Sequence, residues 1–401
     1  MNLKFYKYKY HIIFTIYFIE SIYLPLRASA IHNDDLIQNI SSICPALHSE
    51  DDFDTLLHKL DNLRHGSKDD KKTAYDVYDT ISKNHSYLES QHVPHQNRFY
   101  RGFSKTAMRL GNGDLALALL TNFIQGGNAD LTTKSCYYDS LYYSSSNKYD
   151  AIIGWEKICK TEDATPSLKA SAHVKLAEHF KSEKEVAIKH FEEALRLSRS
   201  NQSILDLNCK AKALVSLAQL ADRDEERHRL FSDALYTLKS IVHPKSFHNE
   251  LLINTYSGLA YNPNAPYHER KENFSKALQI SREIGDYYSK AQSYIGLGNM
   301  VDNNDQGRKY YNKAIDNIGE HRSEADTYLL AQAHIGLGNI GDKQSFADAL
   351  FILKPLGKDK YPRLWAQAYL GLANSLDSNK IDDQVYYYKE ARGIAHAPVL
   401  K

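Results

Sequence analysis

The amino-acid sequence predicts an all-α chain, a solenoid of stacked helix–turn–helix units, on three observations. A small–Leu–small triplet recurs every 35–42 residues through the second half of the chain. Every copy is followed by an aromatic residue with alanine three positions later. The 401 residues include only 19 Gly and 10 Pro, and 25% are charged. Self-similarity at a fixed period of this length marks repeat architectures. The composition excludes disordered, collagen-like and loop-rich disulfide scaffolds.

The triplets are clearest in Ala291-Gln-Ser-Tyr-Ile-Gly-Leu-Gly-Asn299, Ala331-Gln-Ala-His-Ile-Gly-Leu-Gly-Asn339 and Ala366-Gln-Ala-Tyr-Leu-Gly-Leu-Ala-Asn374. Fainter copies centre on Leu259, Leu217 and Leu176, so neighbouring leucines are 41, 42, 38, 40 and 35 residues apart. The aromatic–alanine pairs are Phe191/Ala194, Phe231/Ala234, Phe274/Ala277, Tyr311/Ala314, Phe346/Ala349 and Tyr388/Ala391. Spacing i, i+3 puts both members on one helix face. Gly285, Gly319, Pro355, Gly357 and Gly393 then read as stops. Each unit is therefore helix A, turn, helix B, turn. The small residues of helix A let helix B approach, and the aromatic of helix B fills the space beside them.

These residues resemble the tetratricopeptide repeat. Leu297-Gly298 and Leu337-Gly338 match the Leu-Gly of that family's helix A, and Ala187, Phe191 and Ala194 match its helix B. The fragment from Phe274 to Asn299 looks like the roughly 40-residue variety found in peptide-binding scaffolds. Arg227, Arg270 and Gln384 depart from the pattern at the first helix B alanine. The resemblance implies a right-handed superhelix with helix A lining a concave groove. It covers residues 166–401 well and extends in degenerate form to 95–165, where Ala151, Trp155 and Ile158 make a helix B after a Tyr-rich helix A near Tyr138. Residues 31–94 read as a further helical segment.

Residues 1–30 have the layout of a secretory signal peptide. Lys4, Lys7 and Lys9 precede an apolar stretch from Ile12 to Ile19 that is broken at Glu20 and resumes from Ile22 to Leu26, and Ala28-Ser-Ala30 fits a cleavage site. An uncleaved N-terminal anchor is the alternative, and membrane contact is expected through this segment alone. The expected location is outside the cytosol: secreted, periplasmic or lumenal. The formal charge is +1, from 50 basic and 49 acidic residues, and −2 without residues 1–30. That balance argues against a nucleic-acid partner. Four cysteines, Cys44, Cys136, Cys159 and Cys209, allow three pairings. Cys136 and Cys159 fall on consecutive helices, which weakly favours that pairing among the three; free, buried thiols fit the sequence about as well. Sequons stand at Asn39, Asn84, Asn201 and Asn273.

The candidate site is a peptide-binding groove lined by Gln292, Asn299, Gln332, Asn339, Gln367 and Asn374. Each Gln–Asn pair is seven residues apart on helix A, two turns along one face. Stacking sets the six amides in two rows. An amide offers two donors and an acceptor and can hold an extended backbone with little regard for side chains; asparagine rows do this in peptide-binding members of the family. The alternative is structural amides that bond a neighbouring backbone. Ile295, Ile335 and Leu370 occupy the place where a carboxylate-gripping groove would want lysine, so apolar ligand side chains are expected there. No catalytic residues, metal or cofactor are expected: P-loop and H-E-x-x-H motifs are absent, and Asp302 to Lys313 lacks the glutamate that closes a calcium loop. The reading is a non-enzymatic exported scaffold with a protein or peptide partner. The rivals are a structural subunit of a membrane or envelope complex, held by its convex face, and a catalytic site within 31–165.

Overall fold

A computed structural model of the chain describes residues 53, 56–58, 60, 68–83, 88, 89, 91–144, 147–198, 203–241, 246–319, 323–377 and 379–395. The signal-peptide reading, Cys44, Asn39, Asn84 and Asn201 lie outside these residues. Among the described residues all regular structure is helical and no strand occurs. They fall into two compact units, one within Met1–Ile158 and one within Cys159–Lys401.

The first unit contains α1 (Lys68–Ser82), α2 (Val93–Arg109), α3 (Gly113–Gln125), α4 (Leu131–Tyr143) and α5 (Lys148–Lys160), whose last two residues fall in the second unit. The core of this unit is aromatic. Tyr78 stacks on Phe103 with ring centroids 5.5 Å apart and meets Phe99 edge-on at 5.3 Å. Asp130 caps α4 by accepting from the Thr133 backbone N–H at 2.6 Å. Trp155 on α5 donates to Asp139 on α4 at 3.1 Å, which joins the degenerate pair expected there.

The described residues of the second unit form six helix pairs. The A helices are α6 (Pro166–His179), α8 (Ile204–Leu220), α10 (Ser246–Ala260), α12 (Tyr287–Gly298), α14 (Glu324–Asn339) and α16 (Pro362–Ser375). The B helices are α7 (Lys184–Leu197), α9 (Asp224–Lys239), α11 (Tyr267–Ile284), α13 (Asn304–Ile318), α15 (Gln344–Leu353) and α17 (Ile381–Ala395). Starts are chemically marked. Thr165, Ser203 and Asp286 accept from N–H groups in the first turns of α6, α8 and α12, and Ser323 with Asp326 forms a capping box on α14. Gly285 ends α11 in the left-handed region at φ 73°. Gly393 does not stop α17, which runs on to Ala395.

Within the second unit each helix packs on the next along the chain, and each A helix also touches the following A helix. No pair of successive B helices packs to that extent. The A helices therefore form a continuous layer, and the B helices do not. The chain is thus an all-α helical repeat solenoid, as the triplet period predicts.

The small–aromatic pattern is the mechanism of stacking. Tyr311 of α13 lies between Gly298 of its own helix A and Gly336 of the next. Phe346 lies in the same way between Gly338 and Gly371. Any Cβ at these glycines would overlap the ring. Burying such a ring contributes about 1.5–3 kcal/mol, and the glycines permit the approach that makes the burial complete.

The departures from the family pattern have a physical reason. The last carbonyls of a helix lack internal partners. Arg227 donates to the Ala221 carbonyl at 2.7 Å, Arg270 to the Ala260 carbonyl at 2.9 Å and Gln384 to the Leu376 carbonyl at 3.1 Å. All three long side chains on helix B satisfy the end of the preceding helix A, which alanine cannot do.

Candidate functional site

The turns of α12, α14 and α16 that carry the triplets enclose a groove of about 370 Å³. Ile295, Asn299, Gln332, Ile335, Gly336, Asn339, Gln367, Leu370, Gly371 and Asn374 line it. Five of the six sequence-predicted amides therefore share one cavity. The sixth, Gln292, sits one step along the stack beside the Tyr261 hydroxyl. No charged side chain is among the lining residues.

Two of the three asparagines are held by tyrosine hydroxyls of the following helix B. Tyr311 Oη donates to Asn299 Oδ1 at 2.6 Å, and Tyr388 Oη donates to Asn374 Oδ1 at 2.6 Å. Both amide oxygens are engaged and both nitrogens are left to the groove, where the asparagines are exposed. Burial pushes the Tyr311 hydroxyl up to about 12, so it stays a donor at any ordinary pH. Phe346 holds the corresponding place below Asn339 and has no hydroxyl to offer. One groove glutamine is oriented by a tyrosine as well. Gln332 Nε2 donates to Tyr328 Oη at 3.0 Å, which leaves its carbonyl oxygen to the groove.

The apolar contribution is smaller than the sequence leads one to expect. Ile295 and Ile335 are buried beneath the neighbouring side chains, and only Leu370, at 42% exposed, offers apolar surface. A tyrosine wall runs along one edge of the amide rows. Tyr328 and Tyr361 have ring centroids 5.0 Å apart. Tyr361 donates to Glu324 at 2.6 Å, a carboxylate that Lys360 also meets at 2.7 Å; the bond to Glu324 pushes Tyr361 up to about 12. Tyr261 is 46% exposed as a residue, yet its hydroxyl end is enclosed near Tyr288, Tyr328 and Gln292, and burial raises its pKa. The signal was present in the sequence, since Tyr288 and Tyr328 each stand four residues before a groove glutamine.

The remaining expectations are placed as follows. Cys136, Cys159 and Cys209 are not disulfide-bonded, which corrects the favoured Cys136–Cys159 pair. Cys136 points into the packed interior of α4, whereas Cys159 is half-buried at the end of α5. Asn303 caps α13 by accepting from Asp305 and Gln306, so the calcium-like stretch is a helix-connecting turn. Among the described residues no group of three or more His, Cys, Asp or Glu is placed to hold a metal ion, and no helix is long and apolar enough to cross a membrane.

Neither a protein-family model nor a curated protein matches the chain. Among solved structures it is similar to a "circular tandem repeat protein with novel repeat topology and enhanced subunit contact surfaces", at 13% identity, 90% coverage of this chain, 89% of that chain and a TM-score of 0.18. A score that low carries no weight, and the repeat class rests on the helix pairing.

Proposed function

We propose that the chain is an exported, non-enzymatic scaffold of tetratricopeptide type that binds an extended peptide or protein segment in the groove of α12, α14 and α16. The observation that carries this reading is the convergence of five amides from three successive repeats on one uncharged groove. Two of those amides are oriented by tyrosine hydroxyls beneath them. A backbone is the ligand such a surface suits. It offers donors and acceptors at regular intervals and needs no charged anchor. Residues 1–30 supply the export signal in this reading.

The test is to pan a random dodecapeptide library on the whole chain, with counter-selection on a variant carrying Asn299→Ala, Asn339→Ala and Asn374→Ala. Peptides that bind the wild type and lose at least tenfold in affinity on the variant support the groove. Peptides that bind both equally refute it.

A second reading has its own observation. Tyr236 on α9 is 78% exposed and Phe351 on α15 is 77% exposed, both on B helices. Exposed aromatics on the convex side suit a structural subunit held by that face. Stable co-purification with one fixed partner, abolished by Tyr236→Ser with Phe351→Ser and indifferent to the three asparagines, would favour it.

A further inference from the structure

The groove reading leaves the conformation of the bound backbone open, and four features of the site narrow it. The first is polarity: the two end asparagines present donors, while the Gln332 carbonyl oxygen between them is left as an acceptor that a ligand N–H can meet. The oxygens of Asn299 and Asn374 are taken by Tyr311 and Tyr388, and their nitrogens have no protein partner. The ligand must therefore bring acceptors to both ends of the groove. The second is charge. The lining residues carry none, which matches an uncharged segment. The third is shape. With Ile295 and Ile335 buried, no deep slot waits for a long side chain, whereas the wall of Tyr261, Tyr288, Tyr328 and Tyr361 offers ring faces and edges.

The fourth is spacing. Packed helices lie about 8–10 Å apart, so the asparagine row repeats at about that interval. An α-helical ligand has its carbonyls bonded internally and leaves the amides unpaired. A β-strand repeats every two residues, about 6.6–6.8 Å, and brings as many N–H groups as carbonyls. Polyproline II repeats every three residues, about 9.3 Å, with no internal hydrogen bonds. Proline in that conformation has no N–H to leave unmatched. From Asn299 to Asn374 is two repeats, which six such residues span in about 19 Å.

We infer that the occupant of the groove is a proline-rich segment in polyproline II conformation. Its carbonyl oxygens accept from Asn299, Asn339 and Asn374, and its pyrrolidine rings lie on the tyrosine wall, as rings do in other aromatic-lined grooves for such ligands. Tyr311 and Tyr388 are positioning residues that fix the amide direction. The inference rests on the groove reading but can fail without it.

The experiment is fluorescence anisotropy on the full chain with two labelled nonapeptides, nonaproline and one of alternating Ser and Val. Nonaproline should bind at least tenfold more tightly. Asn299→Ala with Asn374→Ala should weaken it about tenfold or more, since two hydrogen bonds are lost. Tyr311→Phe keeps the ring that the stack needs, as Phe346 shows one repeat on, and should weaken nonaproline about two- to tenfold through the freed amide alone. Tyr328→Ala should cost about tenfold. Equal or tighter binding of the Ser/Val peptide overturns polyproline II; if that binding also needs the asparagines, the groove reading survives. Nonaproline binding that ignores all four substitutions overturns the inference, and so does no binding of nonaproline. In that last case the library panning decides the groove separately.

Discussion

The ring of Tyr311 rests on Gly336 of the following helix, where a Cβ would overlap it. The same ring covers Gly298 of its own repeat. Its hydroxyl reaches Asn299, so one side chain both joins two repeats and orients a groove amide. Packing and the candidate site are coupled through it.

Gly336→Ala should therefore destabilise the stack. Overpacking of this kind costs about 1–3 kcal/mol, and the melting temperature should fall by about 3–10 °C. Gly393 is the control. Nothing lies within 4 Å of a Cβ there and the helix continues through it, so Gly393→Ala should be neutral or stabilising by up to about 1 kcal/mol. Equal effects of the two substitutions in thermal unfolding would contradict the ring-on-glycine account.

Leu337 is 5% exposed in the centre of the triplet on α14 and belongs to the core shared by α10 to α14. Leu337→Asp buries an unpaired carboxylate and should cost several kcal/mol, above about 4. Because repeats are stabilised by their neighbours, hydrogen exchange should quicken across α12 to α16 together. Quickening confined to α14 would show that the repeats do not share one core.

Acid should weaken the first repeat. His173 on α6 faces His190 on α7 with Nδ1 atoms 2.9 Å apart, while Phe180 stacks on His190 and Glu193 and Arg196 lie nearby. Burial, then the neighbouring imidazole, lowers the His173 pKa below its ordinary 6.5, and Glu193 opposes the shift. The unfolded chain then binds more protons, so this stability is complete above 6.5 and is lost as pH falls through the lowered folded value. Burial lowers His334 in the same direction against Asp348 and Asp342. Melting temperature should drop between about pH 8 and pH 5. The drop should shrink in His173→Leu with His190→Leu, which copies the Leu214 and Leu230 of the next repeat. An unchanged drop would clear this pair of any role.

Cys209 should be unreactive. It is 6% exposed, and burial pushes its thiol up to about 12. The thiolate, which is the reacting form, is therefore scarce at pH 8. Iodoacetamide should leave Cys209 unlabelled in the folded chain and label it in guanidinium. Prompt labelling of the native protein would mean that α8 opens readily.

The helical class, the A/B register and the grouping of the amides were legible because each follows from local periodicity. The triplet at Leu297, Leu337 and Leu372 places Asn299, Asn339 and Asn374 on equivalent turns whatever surrounds them. What the sequence concealed depends on contacts between elements. The reach of Arg227 and Arg270 to carbonyls at the end of the preceding helix A, the tyrosines beneath Asn299 and Asn374, and the covering of Ile295 and Ile335 by neighbours arise only once helices stack. The disulfide expectation failed for the same reason, since nearness in chain order says little about where two cysteines face.

The most direct test of the central claim is hydrogen–deuterium exchange on the full chain, with and without a peptide recovered from the panning. Binding in the groove predicts slowed exchange in α12, α14 and α16 and little change in the B helices. Protection centred on α9 or α15, around Tyr236 or Phe351, would contradict the groove and place the partner on the convex face.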